Sequence, residues 1–433
     1  MNDLAGKRIT VVGLGRFGGG IAVTRWLVEQ QAHVLVTDQA EPDALKESCK
    51  QLEGLKIDFR LGEHREEDFT SADLVVSSPA VPLTSKYLSA ARAKGIPITT
   101  EIRLFIERCP ATIFGVTGTK GKSTTTAMLG QILSRRFKTW VGGNIGVSLL
   151  GELPNIKSDH LVVLELSSFM LEHLAEARWS PHVALVTMLA ADHLDRHGTF
   201  EAYLDAKKTL LRFQGPEDYI VVNEESGHRD RLLSGSAAKV ILFGVKDRKP
   251  FELKIPGEHN QLNAQGAFAA ASIMGISWQE AQDALLDFRG LPHRLQLVHE
   301  AGGVRYYNDS IATIPEAAIA ALCSFPPRTV IQVVGGYDKH LSLVGMCAAL
   351  VENAKAALCI GDTGPTIARA MGQSSQTGAA AVYDCHDLET AMKIARQIAS
   401  PGDVVLLSTG CASYDQFDNF EQRGQRFAEL AKS

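Results

Sequence analysis

The chain has 433 residues, of which 45% are hydrophobic and 21% are charged, and its formal net charge is −5. This composition is that of a folded globular protein and excludes a disordered chain, which would be poorer in apolar residues. The totals show no basic excess of the kind that nucleic-acid-binding proteins carry, so we expect no nucleic-acid partner. At one domain per roughly 100–200 residues, two to four domains are expected.

The sequence also bears on the cellular compartment. No apolar run reaches the roughly 18 residues that a membrane-spanning helix needs, and the N-terminal residues lack the apolar core of a signal peptide. The seven cysteines are scattered and form no Cys-x-x-Cys pair, which argues against a disulfide framework or a thiolate zinc site. We therefore expect a cytoplasmic protein without membrane insertion, whose cysteines are reduced and buried.

The first part of the chain reads as a strand, a glycine turn and a helix. The β-branched run Lys7–Val12 is followed by Gly13-Leu-Gly15-Arg-Phe-Gly18 and then by an apolar helical pattern through Leu27. A second strand is expected at His33–Asp38, and a later one starts at Asp73. Strands that alternate with helices predict a parallel, doubly wound sheet.

This glycine turn, with Asp38 closing the next strand, resembles a dinucleotide-binding fingerprint, which is a weak signal by itself. Three interpretations are open for it: a nicotinamide site, a site for another nucleotide-bearing ligand, or a purely structural tight turn.

Two further units follow the same alternation of strands and helices. The second starts near Pro110, and the third starts near Leu291. Their expected buried strands are 112–117, 161–165, 183–187, 329–334, 357–360 and 403–408.

The strongest local signal is the stretch from Gly115 to Ser123, Gly-Val-Thr-Gly-Thr-Lys-Gly-Lys-Ser, which lies between an expected strand and an expected helix. Backbone N–H groups of such a loop can surround phosphate oxygens, and the helix N-terminus adds partial positive charge. Lys122 would reach the β- and γ-phosphates, and the Ser123 hydroxyl would bind Mg²⁺. The strict pattern has Gly where this chain has Val116, so the loop is a variant. The alternative is a glycine turn with an incidental Lys-Ser pair.

Acidic and imidazole side chains follow two strands of the second unit. Glu165 ends an apolar strand, where doubly wound sheets bind ligands, and is a candidate Mg²⁺ ligand; the alternative is a solvated strand end. Asp192-His193-Leu-Asp195-Arg-His197 follows the next strand, and an imidazole beside two carboxylates suits a metal or a proton transfer. The alternative for His193 is a structural histidine. Lys207 lies in a helical segment, and its spacing alone predicts a solvated surface lysine.

Together these motifs resemble the Mur ligase family over nearly the whole chain. The stretches that carry the resemblance are Gly118–Ser123, Leu164–Phe169, Asp192–His197, Leu291–Arg294, Asn308–Ser310 and Cys411–Gly424. The last of these is similar to the signature of the branch that adds D-glutamate.

The resemblance implies an α/β fold with three domains. These would be a Rossmann-like N-terminal domain that binds a UDP-sugar (residues 1–107), a central P-loop-type ATPase domain (108–290) and a Rossmann-like C-terminal domain that binds the amino acid (291–433). It also implies that the first glycine turn holds a UDP-sugar instead of a nicotinamide cofactor.

The reaction implied by the resemblance has two steps and uses ATP with two Mg²⁺ ions. ATP phosphorylates the carboxylate of UDP-MurNAc-L-Ala, and the amine of D-Glu then displaces phosphate from the acyl phosphate. The protein would contribute mostly positioning and charge neutralisation. The partners would be these small molecules, and we expect a monomer in a bacterial cytoplasm.

The resemblance assigns roles residue by residue. Catalytic roles fall on Lys122, Glu165, His193 and Lys207, with Lys207 carbamylated by CO₂. The metal ligands would be Ser123, Glu165, His193 and Lys207. ATP would be bound by Gly118, Thr119, Lys120, Gly121, Lys122, Ser123, Thr124, Arg294 and Asp309. The UDP-substrate would be bound by Gly15, Arg16, Phe17, Asp38, Gln39, Ser78 and Asn144. D-Glu would be bound by Thr313, Lys339, Ser413 and Phe420.

The chain also departs from the family pattern. Ile311 and Ile314 stand where the family often has Lys and Asn, Lys120 stands where Asn is common, and Met188 replaces another common Asn. Three other hypotheses are therefore kept: another ATP-dependent amide ligase (a sister Mur enzyme, a folylpolyglutamate-type enzyme or one that uses L-Glu), a nicotinamide-dependent dehydrogenase, and an inactive UDP-sugar-binding protein.

Overall fold

The computed structural model describes residues 3–15, 18–146, 148–372 and 379–433. Its strands form three separate sheets, of five, six and six strands in chain order. Helices connect most successive strands, and all neighbouring strands are parallel except β12 and β13, defined below. The expected α/β fold with three sheets in succession is thereby confirmed.

The N-terminal sheet has the strand order β3-β2-β1-β4-β5. Its strands are β1 Arg8–Val12, β2 His33–Asp38, β3 Ile57–Leu61, β4 Leu74–Ser77 and β5 Ile98–Thr99. Its helices are α1 Gly19–Glu29, α2 Lys46–Lys50, α3 Glu66–Thr70, α4 Lys86–Ala93 and α5 Glu101–Ile106, with a 3₁₀ turn at Pro42–Leu45. The strand order reverses between β1 and β4, and such a reversal opens a crevice at the carboxyl ends of the strands.

The middle sheet has the order β11-β10-β9-β6-β8-β7. Its strands are β6 Thr112–Thr117, β7 Thr139–Gly143, β8 Leu161–Glu165, β9 Val183–Val186, β10 Tyr219–Asn223 and β11 Lys239–Phe243. The helices are α6 Lys122–Leu133, α7 Ser168–Leu174, α8 Leu194–His197, α9 Phe200–Arg212, α10 Arg229–Leu233, α11 Glu258–Ser272 and α12 Trp278–Leu285, with a 3₁₀ turn at Leu150–Asn155. Strands β6, β8 and β9 are buried runs of apolar residues, which is typical of parallel strands covered on both faces.

The third sheet has the order β12-β13-β17-β14-β15-β16. Its strands are β12 Gln296–Ala301, β13 Val304–Asn308, β14 Val330–Gly335, β15 Ala356–Ile360, β16 Ala381–His386 and β17 Val404–Leu407. Its helices are α13 Pro315–Leu322, α14 Val344–Asn353, α15 Gly364–Gly372, α16 Leu388–Ile398 and α17 Phe420–Lys432. The antiparallel pair of β12 and β13 forms one edge, so this sheet is mixed where the sequence predicted Rossmann-like alternation.

The chain divides into two compact units. The first comprises the residues up to Pro250 together with Leu262–Ala281, and the second comprises Phe251–Gln261 and Gln282–Ser433. The first two sheets therefore lie in one unit, and the third sheet lies in the other.

The structure bears on two expectations, one about membrane-spanning helices and one about the cysteines. No helix among the described residues is both long and apolar enough to cross a membrane. All seven cysteines are free, as expected, and Cys347, Cys359, Cys385 and Cys411 are buried. The expectation that all seven are buried is wrong, because Cys323 is exposed after the last turn of α13.

Candidate functional site

The glycine loop between β6 and α6 has a backbone that only glycine fits. Gly118 has φ +151° and Gly121 has φ +83°, both in the left-handed half of conformational space. A Cβ on Gly118 would overlap the hydroxyl of Thr187, and one on Gly121 would overlap the side-chain oxygen of Asn263. The two glycines therefore let the loop turn tightly into the N-terminus of α6.

The loop is fixed by hydrogen bonds to the segment that follows β9. The Thr119 N–H donates to the Met188 carbonyl at 2.7 Å, and the Thr119 hydroxyl donates to the Ala190 carbonyl at 2.9 Å. The same hydroxyl lies 2.9 Å from the Tyr203 Oη. Lys122 donates from Nζ to the Thr119 carbonyl at 3.0 Å, so its ammonium group lies folded over the loop.

The other loop residues differ in exposure. Ser123 is half-buried on the first turn of α6, and Thr124 behind it is buried. Lys120 is exposed, and its backbone pairs with Met188 through a single antiparallel bridge. The backbone N–H groups at the start of α6 and the Lys122 ammonium make this end of the helix suited to anions.

Glu165 lies at the carboxyl end of β8, next to β6 in the sheet, and is only 1% exposed. The Asn144 side-chain amide donates to Glu165 Oε1 at 3.0 Å, and the Asn144 N–H donates to the Glu165 carbonyl at 2.8 Å. The second carboxylate oxygen, Oε2, is buried and has no hydrogen-bond partner among the described residues. The alternative of a solvated strand end is wrong, because the carboxylate is buried with one oxygen unsatisfied.

His193 directly precedes α8 and has the left-handed conformation, with φ +50°. Its N–H donates to Asp192 Oδ1 at 2.9 Å, and its Nε2 lies 3.6 Å from Asp192 Oδ2. The ring is about half exposed and lies 5.0 Å from the Phe169 ring. His193 is therefore accessible, with an acidic neighbour that can fix the orientation of its imidazole.

Lys207 is buried in the interior of α9 and is 1% exposed. Its Nζ donates to the Gly118 carbonyl at 2.8 Å, lies 3.5 Å from Thr117 Oγ1 and is 4.6 Å from the centre of the Tyr203 ring. Burial, followed by the nearby Lys122 ammonium, lowers the pKa of Lys207 to about 7. The prediction of a solvated surface lysine is wrong. Lys207 lies on the buried side of α9, next to the end of β6 from which the phosphate loop starts.

In the N-terminal sheet, the candidate UDP-substrate residues lie near the reversal of strand order. The Gly15 N–H donates to Asp38 Oδ2 at 3.2 Å, which joins the glycine turn to the end of β2. Gly13, at the end of β1, has φ +84°, and a Cβ there would come to 3.0 Å from the Ser78 Cβ. Gln39 is exposed beside them.

Three further residues of the predicted UDP-substrate set are not part of this group. Arg16 and Phe17 lie outside the described residues. Asn144 lies in the middle sheet at the end of β7, where it contacts Glu165.

A cluster of polar side chains on α7 and α8 escaped the sequence analysis. Glu172 accepts from Arg196 at 3.1 Å through Oε2, and its Oε1 lies 3.2 Å from His197 Nδ1. The other ring nitrogen of His197 lies 3.0 Å from the Ser168 hydroxyl. Ser168, Arg196 and His197 lie inside the two motifs already singled out, and Glu172 follows the first of them by three residues. Only Glu165 and His193 were marked in the sequence, by their positions after strands. The pKa of His197 is lowered, and burial is the largest cause, ahead of the charges of the neighbouring groups.

In the second unit, Asp309 follows β13 and is 5% exposed. The Ser408 hydroxyl donates to its Oδ2 at 2.7 Å, and the Leu295 N–H donates to its Oδ1 at 3.1 Å. Burial raises the pKa of Asp309 to about 6, although both hydrogen bonds and the nearby Arg294 oppose the shift. Arg294 is exposed in the tight turn before β12.

The four candidate D-Glu residues follow three strands of the third sheet. Thr313 lies after β13, exposed Lys339 follows β14, and buried Ser413 follows β17. Phe420 is the first residue of α17, and its ring lies 5.9 Å from the His293 ring. They share the carboxyl edge of one sheet, but no hydrogen bond or ion pair joins them to one another among the residues described in this unit.

Arg423 was also missed by the sequence analysis. It is 1% exposed in α17, and its guanidinium donates to the carbonyls of Ser310, Cys411 and Ala412 at 2.9–3.1 Å and to the Ser310 hydroxyl at 2.9 Å. Burial lowers the pKa of Arg423 to about 10. Through these bonds one side chain holds together the segments after β13 and β17, which carry Thr313 and Ser413.

These features define a nucleotide-binding α/β protein, with a phosphate loop that opens a helix in its middle sheet. Three family models match the chain in succession. They are "Mur ligase MurD-like, N-terminal domain" at residues 7–100, "Mur ligase middle domain" at 116–271 and "Mur ligase, glutamate ligase domain" at 293–411. The chain belongs to the Mur ligase family.

Curated relatives narrow the comparison to one branch. UDP-N-acetylmuramoylalanine–D-glutamate ligase of Roseiflexus sp. (strain RS-1) is 42% identical over 466 residues, covering 100% of this chain and 99% of the relative. The protein of the same name from Geobacter metallireducens is 38% identical, covering 98% and 97%. The chain thus matches these D-glutamate ligases over their full length.

Solved structures share the fold at lower sequence identity. The UDP-N-acetylmuramate–alanine ligase MurC of Thermotoga maritima matches with a TM-score of 0.61 and 22% identity, covering 98% of this chain and 99% of that one. The MurF ligase of the same organism, solved in complex with ADP, matches with a TM-score of 0.56 and 17% identity, covering 99% and 95%. Both comparisons establish the Mur ligase fold for this chain.

Proposed function

We propose that this protein is the ATP-dependent ligase that joins D-glutamate to UDP-N-acetylmuramoyl-L-alanine in peptidoglycan synthesis. The observation that carries the proposal is the phosphate loop of β6 and α6 beside buried Glu165 on the neighbouring strand, in a chain that matches D-glutamate ligases over its whole length. The dehydrogenase alternative leaves this loop and Glu165 without a role.

The reaction has two covalent steps. An oxygen of the substrate carboxylate attacks the γ-phosphorus of ATP, and ADP leaves, which gives an acyl phosphate. The amine nitrogen of D-Glu attacks the acyl carbon, and the tetrahedral intermediate loses inorganic phosphate and a proton to give the amide. Because a carboxylate is a poor electrophile, the first step supplies the leaving group that the second step needs.

The residues of the loop bind and orient the nucleotide in the proposed enzyme. The amides of Gly118–Thr124 surround the phosphates, and Lys122 neutralises charge on the transferred phosphoryl group. Arg294 and Asp309 hold the ribose side of ATP. For Asp309 this role is supported by its two fixed hydrogen bonds, which hold its carboxylate in one orientation.

The residues beside the loop are suited to hold Mg²⁺. The buried, unpartnered Oε2 of Glu165 is a hard oxygen donor of the kind that Mg²⁺ requires. Ser123 and His193 are the other candidate ligands, together with Lys207 once it is carbamylated. Two bound ions would draw charge from the phosphoryl oxygens and from the acyl carbonyl.

Carbamylation of Lys207 converts an amine into an anionic ligand. Its Nζ attacks the carbon of CO₂, one N–H proton leaves to solvent, and a carbamate remains. Burial against the Gly118 carbonyl supports this assignment, because a low-dielectric site disfavours the ammonium form and leaves a nucleophilic neutral amine.

The other substrates are assigned to the two outer sheets. The UDP-sugar would lie at the carboxyl ends of β1 and β4, bound by Gly15, Asp38, Gln39 and Ser78 and by Arg16 and Phe17, with Asn144 contacting its acyl end. D-Glu would be bound by Thr313, Ser413 and Phe420, and Lys339 would pair with a carboxylate. Domains at 1–107, 108–290 and 291–433, a monomeric state and a cytoplasmic location complete the proposal.

The deciding experiment measures phosphate release from ATP with Mg²⁺ and UDP-MurNAc-L-Ala, with D-Glu, L-Glu and other amino acids offered in turn. We expect release that depends on D-Glu and a product with the mass of the ligated peptide. The Lys122→Ala variant should lose this release, and an unchanged rate in it would overturn the assignment of the loop. Release with none of the amino acids would overturn the ligase proposal.

The choice of amino acid has its own outcome in this experiment. Ile311 and Ile314 are both exposed around Thr313, at 37% and 45% of their surface, so they present apolar surface where a cation and an amide are common in the family. Release that depends on an amino acid other than D-Glu would keep the two-step chemistry and would point to Ile311, Ile314 and the Lys339 pocket as the source of the difference.

A further inference from the structure

Arg196 joins two parts of the structure that the proposed reaction uses separately. Its guanidinium donates to the Ala80 carbonyl at 2.9 Å and lies 3.4 and 3.5 Å from the Val81 and Pro79 carbonyls. Residues 79–81, which we call the 79–81 turn, directly follow Ser78 at the end of β4. From α8, Arg196 therefore reaches the backbone beside the proposed UDP-sugar site.

The same guanidinium is fixed on its other side by α7. It donates to Glu172 Oε2 at 3.1 Å and stacks 5.1 Å from the centre of the Phe169 ring. Arg196 is 15% exposed and Glu172 is 22% exposed, so their charges are only weakly screened by solvent. The side chain thus has a carboxylate, an aromatic face and three carbonyl acceptors, and it is held in one position.

Helix α8 links the position of the Arg196 side chain to that of His193. The helix has only four residues, and its ordered conformation needs support from outside because so short a helix is not stable by itself. The N–H groups of Arg196 and His197 both donate to the His193 carbonyl, at 3.1 and 3.0 Å. Since His193 is also held at φ +50°, a shift of Arg196 changes the backbone on which the imidazole stands.

The 79–81 turn is equally tied to Ser78. The Val81 N–H donates to the Ser78 carbonyl at 3.0 Å, and the Ser78 N–H donates to the Val12 carbonyl at 2.9 Å. The Val81 carbonyl is also 3.3 Å from Nε2 of buried His173, which lies on α7. A ligand that orders Ser78 therefore orders the carbonyls that Arg196 binds.

We propose that Arg196 is a positioning residue that couples occupancy of the UDP-sugar site to the placement of His193. The inference rests on the proposed function, which assigns Ser78 to the UDP-substrate and His193 to the metal-binding site. Binding of the UDP-sugar fixes the 79–81 turn, the turn fixes Arg196, and Arg196 fixes the start of α8. Occupancy of the UDP-sugar site therefore favours the placement of His193 that phosphoryl transfer uses.

The chain supplies a matched control in Arg92. This arginine also joins the N-terminal and middle sheets, through an ion pair with Glu176 at 3.4 Å, and it donates to the Leu83 carbonyl at 2.8 Å. Its partner Glu176 is 52% exposed, and no hydrogen bond or ion pair among the described residues joins Arg92 or Glu176 to the 79–81 turn or to α8. A solvent-exposed pair of this kind contributes little to stability.

The test compares Arg196→Gln, Arg196→Lys and Arg92→Gln in the full-length protein. Steady-state kinetics give kcat and the KM values for ATP and UDP-MurNAc-L-Ala. Calorimetry gives the Kd of UDP-MurNAc-L-Ala with and without a non-hydrolysable ATP analogue and Mg²⁺. For the unmodified protein we expect the analogue to tighten binding of the UDP-substrate about tenfold, within the usual range for coupled sites.

Arg196→Gln should abolish this tightening and lower kcat by about tenfold. Because the coupling is reciprocal, it should weaken binding of the ATP analogue about tenfold when UDP-MurNAc-L-Ala is present and leave it within about twofold when UDP-MurNAc-L-Ala is absent. Arg196→Lys keeps the positive charge but replaces the planar guanidinium by a compact ammonium group, so it should restore part of the coupling. Arg92→Gln should match the unmodified protein. Coupling and kcat that are the same in Arg196→Gln as in Arg92→Gln would overturn the proposal.

Two other outcomes are distinguishable from these. If the unmodified protein shows no phosphate release that depends on UDP-MurNAc-L-Ala, the proposed function fails before Arg196 is tested. If Arg196→Gln does not melt cooperatively, Arg196→Lys takes its place, since its single ammonium group cannot reach Glu172 and the carbonyls of the 79–81 turn together. Full coupling and full kcat in Arg196→Lys would then overturn the proposal.

Discussion

The buried amine of Lys207 gives a prediction whose size follows from its surroundings. With a pKa of about 7, about three quarters of this amine is neutral at pH 7.5, whereas a lysine at the ordinary value of 10.5 is neutral in about one molecule per thousand. The concentration of the form that reacts with CO₂ is therefore several hundredfold higher at Lys207 than at an exposed lysine. We expect carbamylation to be selective for this residue.

The assay is ¹³C NMR of the protein equilibrated with ¹³C-bicarbonate, together with phosphate release on the same samples. One carbamate resonance should appear in the unmodified protein and in Lys208→Ala, and it should be absent from Lys207→Ala. Lys208 is the matched control because it is the next residue of the same helix but is only half-buried. The resonance should weaken as the pH falls through about 7, because protonation removes the nucleophilic amine.

Turnover should depend on the same carbamate that gives the resonance. Lys207→Ala should lose roughly 100-fold or more in kcat, the size of effect seen when support of a metal ligand is removed. Added bicarbonate should not restore activity, because the amine is missing, whereas a short-chain carboxylate could occupy the space and supply the anion. Normal turnover in Lys207→Ala, or a resonance that survives in Lys207→Ala and disappears in Lys208→Ala, would refute this reasoning.

Three further predictions concern the loop, the carboxylate beside it and the second unit. Gly118→Ala should destabilise the folded chain and weaken ATP binding, because its Cβ would overlap Thr187. Gly151→Ala is the control, since there is open space for a Cβ at that position. Equal melting temperatures of the two variants would contradict this prediction. Glu165→Gln should raise the Mg²⁺ concentration for half-maximal phosphate release by about tenfold or more, and an unchanged Mg²⁺ titration would count against its role as a ligand. Burial raises the pKa of Asp309 to about 6, so between about pH 4 and pH 6 the folded chain keeps a proton that the unfolded chain has released. The ionisation of Asp309 therefore lowers the stability of the folded chain as the pH rises through that window. The urea-unfolding free energy of Asp309→Asn relative to the parent should therefore rise by up to about 3 kcal/mol from pH 4 to pH 7, and a constant difference would contradict the shift.

The elements and their order could be predicted from the sequence because parallel strands buried on both faces read as unbroken apolar runs. The runs at 112–117 and 161–165 coincide with β6 and β8. The phosphate loop could also be located, since its glycines and its Lys-Ser pair lie next to each other in the chain. The position of Glu165 at a strand end followed from the same local pattern.

The environment of individual side chains could not be predicted in this way. The partner of Lys207, the Gly118 carbonyl, is 89 residues away in the chain, so helical spacing gave a surface lysine. Arg196 and Arg423 resemble ordinary surface arginines in the sequence, and their acceptors are mostly backbone carbonyls, which have no residue-type signature. Long-range hydrogen bonds to the backbone thus determine which charged residues are buried.

The division of the chain into units has a practical consequence for anyone who makes the protein in pieces. Residues Phe251–Gln261 belong to the second unit although some twenty residues of the first unit, Leu262–Ala281, follow them. The Tyr307 hydroxyl donates to the Lys254 carbonyl at 2.7 Å, so this segment is part of the packing of the second unit. A fragment that starts near residue 291 would lack it and would leave the buried Tyr307 hydroxyl without this acceptor. Expression of the third sheet by itself therefore calls for a fragment that starts at residue 251, in which Leu262–Ala281 is either retained or replaced by a linker.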